Sequence, residues 1–133
     1  MDIAAYSTLD NIHFLARFIY SAPNEPPDVW CENEVDYCLV SIIPSRLSND
    51  LSFDARIIPN LNEVAAISWT DFDSLESLIK TDPRNFTPWF RKLLFSGYLK
   101  MIWQWAEAKA SSSAQFFHDI DKSWDRNIIF DLK

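Results

Sequence analysis

Residues 11–43 read NIHFLARFIYSAPNEPPDVWCENEVDYCLVSII, and the order of apolar and turn-forming residues in this stretch decides the fold. Residues 11–20 are rich in Phe, Ile and Tyr, which predicts a first strand. Residues 21–28 contain three prolines and predict a loop. Residues 35–43 predict a second strand, apolar enough to be buried on both faces.

The residues that follow indicate a short strand, a third strand and a first helix. Residues 44–62 are polar and turn-rich, with a short strand indicated near residues 53–58. Residues 62–69 (NEVAAISW) predict a third strand. A helix is predicted over residues 72–80, with Thr70 or Asp71 as its N-cap.

A longer helix is predicted from Thr87 to about Lys109. Thr87 is the predicted N-cap, and Pro88 takes the first position, where its missing N–H costs nothing. The segment is apolar nearly all round, which indicates burial on more than one side. Strands followed by helices predict an α+β sandwich. Three or four strands make a thin sheet for a chain with six tryptophans, which suggests that the fold expects more sheet.

The chain is acidic, with 12 Lys and Arg against 19 Asp and Glu, a formal charge of −7. Clustered basic residues are what phosphate backbones and anionic lipids attract, so the charge argues against a nucleic-acid or membrane-surface partner. A phosphorylated small molecule remains compatible if a divalent cation lies between it and the protein.

Cysteine and glycine usage add two expectations. Cys31 and Cys38 are seven apart, which puts them on opposite faces of a strand and predicts that they do not pair. A reducing, cytoplasmic setting fits this, as do the lack of an apolar run long enough to span a bilayer and of a signal peptide. Gly97 is the single glycine, where average usage would give roughly nine. A glycine-rich phosphate loop is therefore not expected in these residues.

Glu32 and Glu34 are the first candidate for chemistry. Residues two apart on a strand project from one face, and a hard divalent cation would relieve the repulsion between two such carboxylates. A solvated acidic loop beside the proline-rich turn is the competing interpretation, and the spacing alone favours that loop.

Trp89 and Tyr20 are aromatic candidates, and each also allows a functional and a structural interpretation. Trp89, within FTPWF at residues 86–90, could offer its indole face to a cation or anchor the core. Tyr20 could orient a carboxylate by hydrogen bonding or belong to the edge of the core. The residues alone favour the structural interpretation for both. His13 and His118 are isolated, and no nucleophile elbow, P-loop, dinucleotide fingerprint, HExxH motif or Nudix box occurs.

Taken in order, five segments resemble type I isopentenyl-diphosphate isomerases of the Nudix superfamily. These segments, each with the family pattern that it resembles, are residues 11–23 (FLTRIHYKAP), WCENEVDY at 30–37 (WGEHEIDY), NLNEV at 60–64 (NPNEV), Ser68-Trp69 with the helix after it, and FTPWF at 86–90 with its aromatic helix (ITPWF and FLFKWW).

The resemblance implies a fold and an activity. Residues 1–133 would form the C-terminal part of a Nudix-type α/β/α sandwich, with a mixed sheet and a long aromatic C-terminal helix. The family interconverts isopentenyl and dimethylallyl diphosphates in isoprenoid biosynthesis, by adding a proton to an alkene and removing another from the opposite side. By match, Glu34 would be the catalytic carboxylate and Glu32 and Glu34 would bind Mg²⁺ or Mn²⁺. Tyr20 would hydrogen-bond the catalytic glutamate, and Trp89 would face the cationic centre.

Other family motifs have no match in this sequence. The catalytic cysteine of a TNxCCSHP-like segment, the histidine metal ligands, the basic diphosphate grip and the Nudix helix would all lie upstream, because residues 1–3 align just after that helix. Cys31 takes the position of the family's glycine and does not replace the thiol. We therefore predict a truncated isomerase that does not turn over alone.

Two alternatives stand beside this prediction. One is a non-catalytic homologue that acts as a binding module, associating with itself or a partner through an exposed sheet edge. The other is a Nudix-derived fold with a new ligand.

Overall fold

The computed structural model describes residues 12–23, 31–42, 60–111 and 114–132. Three strands, β1 (Ile12–Pro23), β2 (Cys31–Ser41) and β3 (Ile129–Leu132), combine with four helices, α1 (Phe72–Thr81), α2 (Pro88–Phe95), α3 (Tyr98–Ala110) and α4 (Ala114–Asp121). A 3₁₀ turn, Pro83–Asn85, lies between α1 and α2. The predicted α+β class is confirmed. The strand indicated near residues 53–58 lies outside the described residues.

The strands form one mixed sheet in the order β2-β1-β3. β1 pairs antiparallel with β2 and parallel with β3, so the two strands predicted within residues 11–43 are confirmed and are neighbours. The register shifts between Phe14 and Ala16, which leaves Leu15 as an extra residue in β1. Leu15 is fully buried, so the bulge adds one more apolar side chain to the core.

The two faces of the sheet have different surroundings. On β1 the inner face carries Ala16, Phe18, Tyr20 and Ala22, all buried in the core against the helices. The core also includes Ile79, Leu93, Leu94, Leu99, Trp105, Trp124 and Leu132. The opposite face of β2 is exposed, so the prediction that this strand is buried on both faces is wrong. The reason is that the described helices cover only one face of the sheet.

The predicted third strand over residues 62–69 is also wrong. The Asn60 carbonyl accepts hydrogen bonds from the N–H groups of Glu63 and Val64, which forms a turn, and the residues after it pair with no described strand. Residues with high β-propensity form a strand only where a neighbouring strand can pair with them. The third strand is instead β3, in the C-terminal tail.

The single long helix predicted from Thr87 to Lys109 is two helices, α2 and α3. Gly97 separates them with a left-handed φ of 84°, a conformation that glycine adopts without the steric cost of a Cβ. The predicted cap of α1 is confirmed as Asp71, whose Oδ1 accepts from the Ser74 N–H at 2.8 Å. Pro88 opens α2 as predicted, although Thr87 makes no side-chain capping bond.

A polar network ties the C-terminal segment to α3 and β1. The Asp121 Oδ1 accepts from the Trp105 indole at 2.8 Å and from Arg126 Nη2 at 2.6 Å. Arg126 Nε in turn donates to the Phe14 carbonyl at 3.2 Å. The hydrogen bond from Arg126, and then the one from Trp105, hold the pKa of Asp121 below its ordinary value.

Two further predictions concern cysteine and the membrane. Cys38 is a free thiol, as its separation from Cys31 predicts. In the described part of the chain, no helix is long and apolar enough to cross a membrane.

Candidate functional site

The candidate site begins on the inner face of β2, where side chains alternate. Glu32, Glu34, Asp36 and Cys38 share this face because residues two apart on a strand point the same way. Across the ladder, Tyr20 of β1 lies opposite Glu34. The predicted projection of both glutamates from one strand face is confirmed, since Glu32 and Glu34 line the same cavity.

Tyr20 is 3% exposed, and its hydroxyl donates to Glu32 Oε2 at 2.7 Å. The predicted acceptor was Glu34, so this pairing is a correction. Glu34 is the register partner, but the phenol ring is long enough to reach the diagonal neighbour on the adjacent strand. Glu34 accepts no hydrogen bond from the residues that the structure describes.

The protonation state of Tyr20 suits a donor. Burial, then the hydrogen bond to Glu32 and the surrounding carboxylate charges, raise the pKa of Tyr20 well above its ordinary value. The phenol therefore keeps its proton at neutral pH and holds the Glu32 carboxylate in place.

A cavity of about 520 Å³ lies against this face. It is lined by Phe18, Tyr20, Glu32, Glu34, Asp36, Tyr37, Cys38, Leu39, Thr87, Trp89, Leu93 and Leu132. All four predicted site residues, Tyr20, Glu32, Glu34 and Trp89, are thus brought together. Among these lining residues there are three carboxylates and no Lys, Arg or His, so the cavity favours cations and repels bare anions.

Trp89 reaches the cavity from the first turn of α2. Pro88 fixes the start of the helix one residue earlier. The Trp89 ring packs edge-on against the Phe90 ring, with centroids 5.4 Å apart. The indole is 39% exposed, so part of its surface remains available to a ligand. In the described part of the chain Trp89 does not belong to the hydrophobic core, so the alternative prediction of a core anchor is not supported.

Asp36 and Cys38 are cavity residues that the sequence interpretation missed. Counting onwards by twos from Glu34 would have found both, because the alternation continues to the end of β2. Burial raises the pKa of the Cys38 thiol to about 11, so it stays protonated at neutral pH. Cys38 lies on the same wall as Glu34 and therefore cannot supply a group from the opposite side.

The two histidines stay outside this site. His13 packs edge-to-face on Trp105 with ring centroids 5.6 Å apart, and His118 is exposed on α4. No group of three or more His, Cys, Asp or Glu side chains suited to a metal occurs in the described residues. Glu32 and Glu34 therefore offer a metal ion two carboxylate groups.

Sequence comparison places the chain beside one class of enzyme, isomerases that are named for isopentenyl diphosphate. The relatives are isopentenyl-diphosphate delta-isomerases, and the resemblance predicted from the motifs is confirmed. The Phaffia rhodozyma protein is 27% identical over 106 residues, covering 80% of this chain and 37% of its own length. Isomerase I of Arabidopsis thaliana chloroplasts is 29% identical over 119 residues, covering 86% of this chain and 36% of its own length.

A third relative, isopentenyl-diphosphate delta-isomerase I of Clarkia breweri, is 31% identical over 113 residues, covering 81% of this chain and 35% of its own length. The chain therefore spans about a third of the length of the curated relatives it matches. No protein-family profile matches the chain. No solved structure matches it either.

Proposed function

We propose that this chain forms one wall of an isopentenyl-diphosphate isomerase site, which interconverts isopentenyl and dimethylallyl diphosphates for isoprenoid biosynthesis. The observation that carries the proposal is the meeting of Tyr20, Glu32, Glu34 and Trp89 at one cavity. Similarity to proteins named as these isomerases supports it over four fifths of the chain.

Each side chain has a role in this proposal. Glu34 transfers the proton on its side of the alkene, because its carboxylate faces the cavity and no described donor holds it. Tyr20 positions Glu32 through the 2.7 Å hydrogen bond. The Trp89 indole and the carboxylates stabilise positive charge that develops on the substrate carbon after protonation.

A divalent cation, Mg²⁺ or Mn²⁺, belongs to this proposal. The donor chemistry fits, since Glu32 and Glu34 offer carboxylate oxygens, which these hard cations prefer, at one cavity. When bound, the cation would neutralise charge between the acidic wall and a diphosphate. Glu32 and Glu34 would supply some of the cation's oxygen ligands, and substrate or water oxygens would supply the others.

The same proposal extends to the fold and the setting. A mixed sheet with helices on one face supports residues 1–133 as a partial Nudix-type domain. A reducing, cytoplasmic setting is proposed because Cys38 is free.

A binding module without catalysis is the second candidate. Chemistry on opposite sides of an alkene needs two opposed groups, and in the described residues Cys38 and Glu34 share one wall. This observation favours a chain that binds ligand without turning it over alone.

Calorimetric titration with isopentenyl diphosphate tests the site. We expect weak binding that requires Mg²⁺. Glu32→Gln and Glu34→Gln should each lower the affinity at least about tenfold, because each variant loses a charged oxygen ligand. Glu63→Gln is the matched control, since Glu63 is exposed in the turn at residue 60 and does not line the cavity. Binding that is indifferent to Mg²⁺ and to both cavity variants would contradict the proposal.

A further inference from the structure

β3 brings one of its residues to the candidate site. The register pairs Leu132 with Tyr20 on the neighbouring strand β1. Both side chains are 3% exposed, and both line the cavity. Because the Tyr20 hydroxyl holds Glu32, the packing of Leu132 beside Tyr20 bears on the position of that carboxylate.

The sheet alone holds β3 weakly. This strand is four residues long and lies at an edge of the described sheet, with β1 as its one described neighbour. A short edge strand opens more readily than a central strand, because few ladder hydrogen bonds must break. The position of Leu132 therefore depends on contacts with another element.

Lys92 of α2 supplies such a contact. Its Nζ donates to the Leu132 carbonyl at 3.2 Å, and the pair is partly buried. A charged donor makes a stronger hydrogen bond than a neutral one, and partial burial strengthens it further. Lys92 lies between Trp89 and Leu93 on the same helix, and both of these residues line the cavity. The hydrogen bond thus joins α2, which carries two cavity residues, to β3, which carries a third.

We propose that Lys92 is a positioning residue of the candidate site. It fixes β3 to α2 and keeps Leu132 beside Tyr20, and in this way it keeps the Tyr20 hydroxyl on Glu32. Lys92 is not among the described residues that line the cavity, so it acts through its neighbours and not by touching a ligand. The expected effect on ligand affinity rests on the proposed function, whereas the expected effect on β3 does not.

A role at the end of the helix is the competing explanation. Lys92 lies in the last turn of α2, where a cation interacts favourably with the helix dipole. That interaction would stabilise α2 without acting on one strand in particular. Lys80 is the matched control, because it lies exposed in the last turn of α1 and forms its described ion pair with Glu76, away from the cavity.

Amide hydrogen exchange at neutral pH, followed by NMR on the full chain without ligand, tests the effect on β3. Lys92→Met keeps the aliphatic stem and loses the donor, so the protected amides of residues 129–132 should exchange at least about tenfold faster, while those of α3 keep their rates. Lys92→Arg should restore wild-type exchange, because arginine also donates, and Lys80→Met should leave it unchanged.

Circular dichroism checks that each variant is folded, and Lys92→Gln replaces Lys92→Met if the latter is not. Wild-type exchange of β3 in the folded variant would overturn the proposal. So would an equal acceleration in β3 and α3, since that would indicate a general loss of stability.

Calorimetric titration with isopentenyl diphosphate and Mg²⁺ tests the effect on the site. Lys92→Met should lower the affinity at least about fivefold, Lys92→Arg should restore it, and Lys80→Met should match wild type. The ratio of wild-type to Lys92→Met affinity should persist at high salt. Salt would screen a long-range attraction between Lys92 and the diphosphate, but it would not reverse a change of position.

Two results of the titration would overturn the positioning role, namely equal affinities and a ratio that disappears at high salt. If wild type does not bind isopentenyl diphosphate, the proposed function fails instead. The exchange rates of β3 then decide the role of Lys92 by themselves.

Discussion

The Tyr20 hydroxyl donates to Glu32 across the antiparallel pair of β1 and β2, while its register partner Glu34 accepts no hydrogen bond from a described residue. This diagonal contact gives the two glutamates different properties. Glu32 is held by a buried phenol, and Glu34 faces the cavity without such a restraint. We therefore propose that Glu32 is a fixed metal ligand, while Glu34 is both a metal ligand and the group that moves a proton.

The Tyr20 contact predicts an alkaline loss of stability. The folded pKa of Tyr20 is raised, so its contribution to the free energy of unfolding is complete below the ordinary tyrosine pKa and is lost as pH rises through the folded pKa. Urea unfolding at increasing alkaline pH should show a steeper decline for wild type than for Tyr20→Phe. Glu32→Gln should lie between them, because it removes one cause of the raised pKa. Equal slopes in all three proteins would refute this origin.

The network around Asp121 predicts a loss of stability in acid. Its folded pKa is lowered, so the stabilisation is complete above the ordinary carboxyl range and is lost as pH falls through the folded pKa. Asp121→Asn should reduce the free energy of unfolding at neutral pH by on the order of 1–2 kcal/mol, because it weakens the bonds from Arg126 and Trp105. The variant should also flatten the acid decline, whereas Glu63→Gln should keep it. A wild-type acid profile in Asp121→Asn would count against the network.

Gly97 predicts a backbone effect with no packing effect. A Cβ at this position would meet nothing within 4 Å, so Gly97→Ala should cost only the left-handed conformation, about 1–2 kcal/mol of unfolding free energy. Gly97→Asn should cost less, since Asn tolerates this region better than Ala. Thermal unfolding of the three proteins measures the order. Equal stability of Ala and Asn variants would indicate another role for this glycine.

The single-walled site predicts binding without turnover by this chain alone. Glu34 can serve one side of the alkene, while Cys38 shares its wall. Proton NMR of isopentenyl diphosphate with Mg²⁺ in D₂O should show no deuterium entering the substrate and no dimethylallyl diphosphate. Deuterium incorporation that Glu34→Gln abolishes would show that the described wall has an opposing group after all.

The parts of the fold that depend on local sequence were predictable. β1, β2, the Asp71 cap and the Pro88 start follow from neighbouring residues. The strand predicted at residues 62–69 failed because a strand needs a partner that local sequence does not specify. The long helix failed at Gly97, where one left-handed residue outweighs the apolar pattern on both sides.

The candidate site, too, was predictable only where it follows from local sequence. The alternation along β2 places Glu32 and Glu34 together, and following it further would have added Asp36 and Cys38. The choice of Glu32 by Tyr20 depends on how a ring leans across two strands, which no linear pattern encodes. Which face of β2 is covered depends on helix packing, so the exposure of its other face was not predicted.

Paramagnetic NMR with Mn²⁺ and isopentenyl diphosphate tests the central claim most directly. With both present, we predict broadening of the backbone amides of residues 32–36 and of the Trp89 indole, and no such broadening in Glu34→Gln. The acidic start of α1, at Asp71 and Asp73, serves as an internal reference because it is a carboxylate pair away from the cavity. Broadening centred on α1, or signals of residues 32–36 that stay sharp, would contradict the assignment of this site.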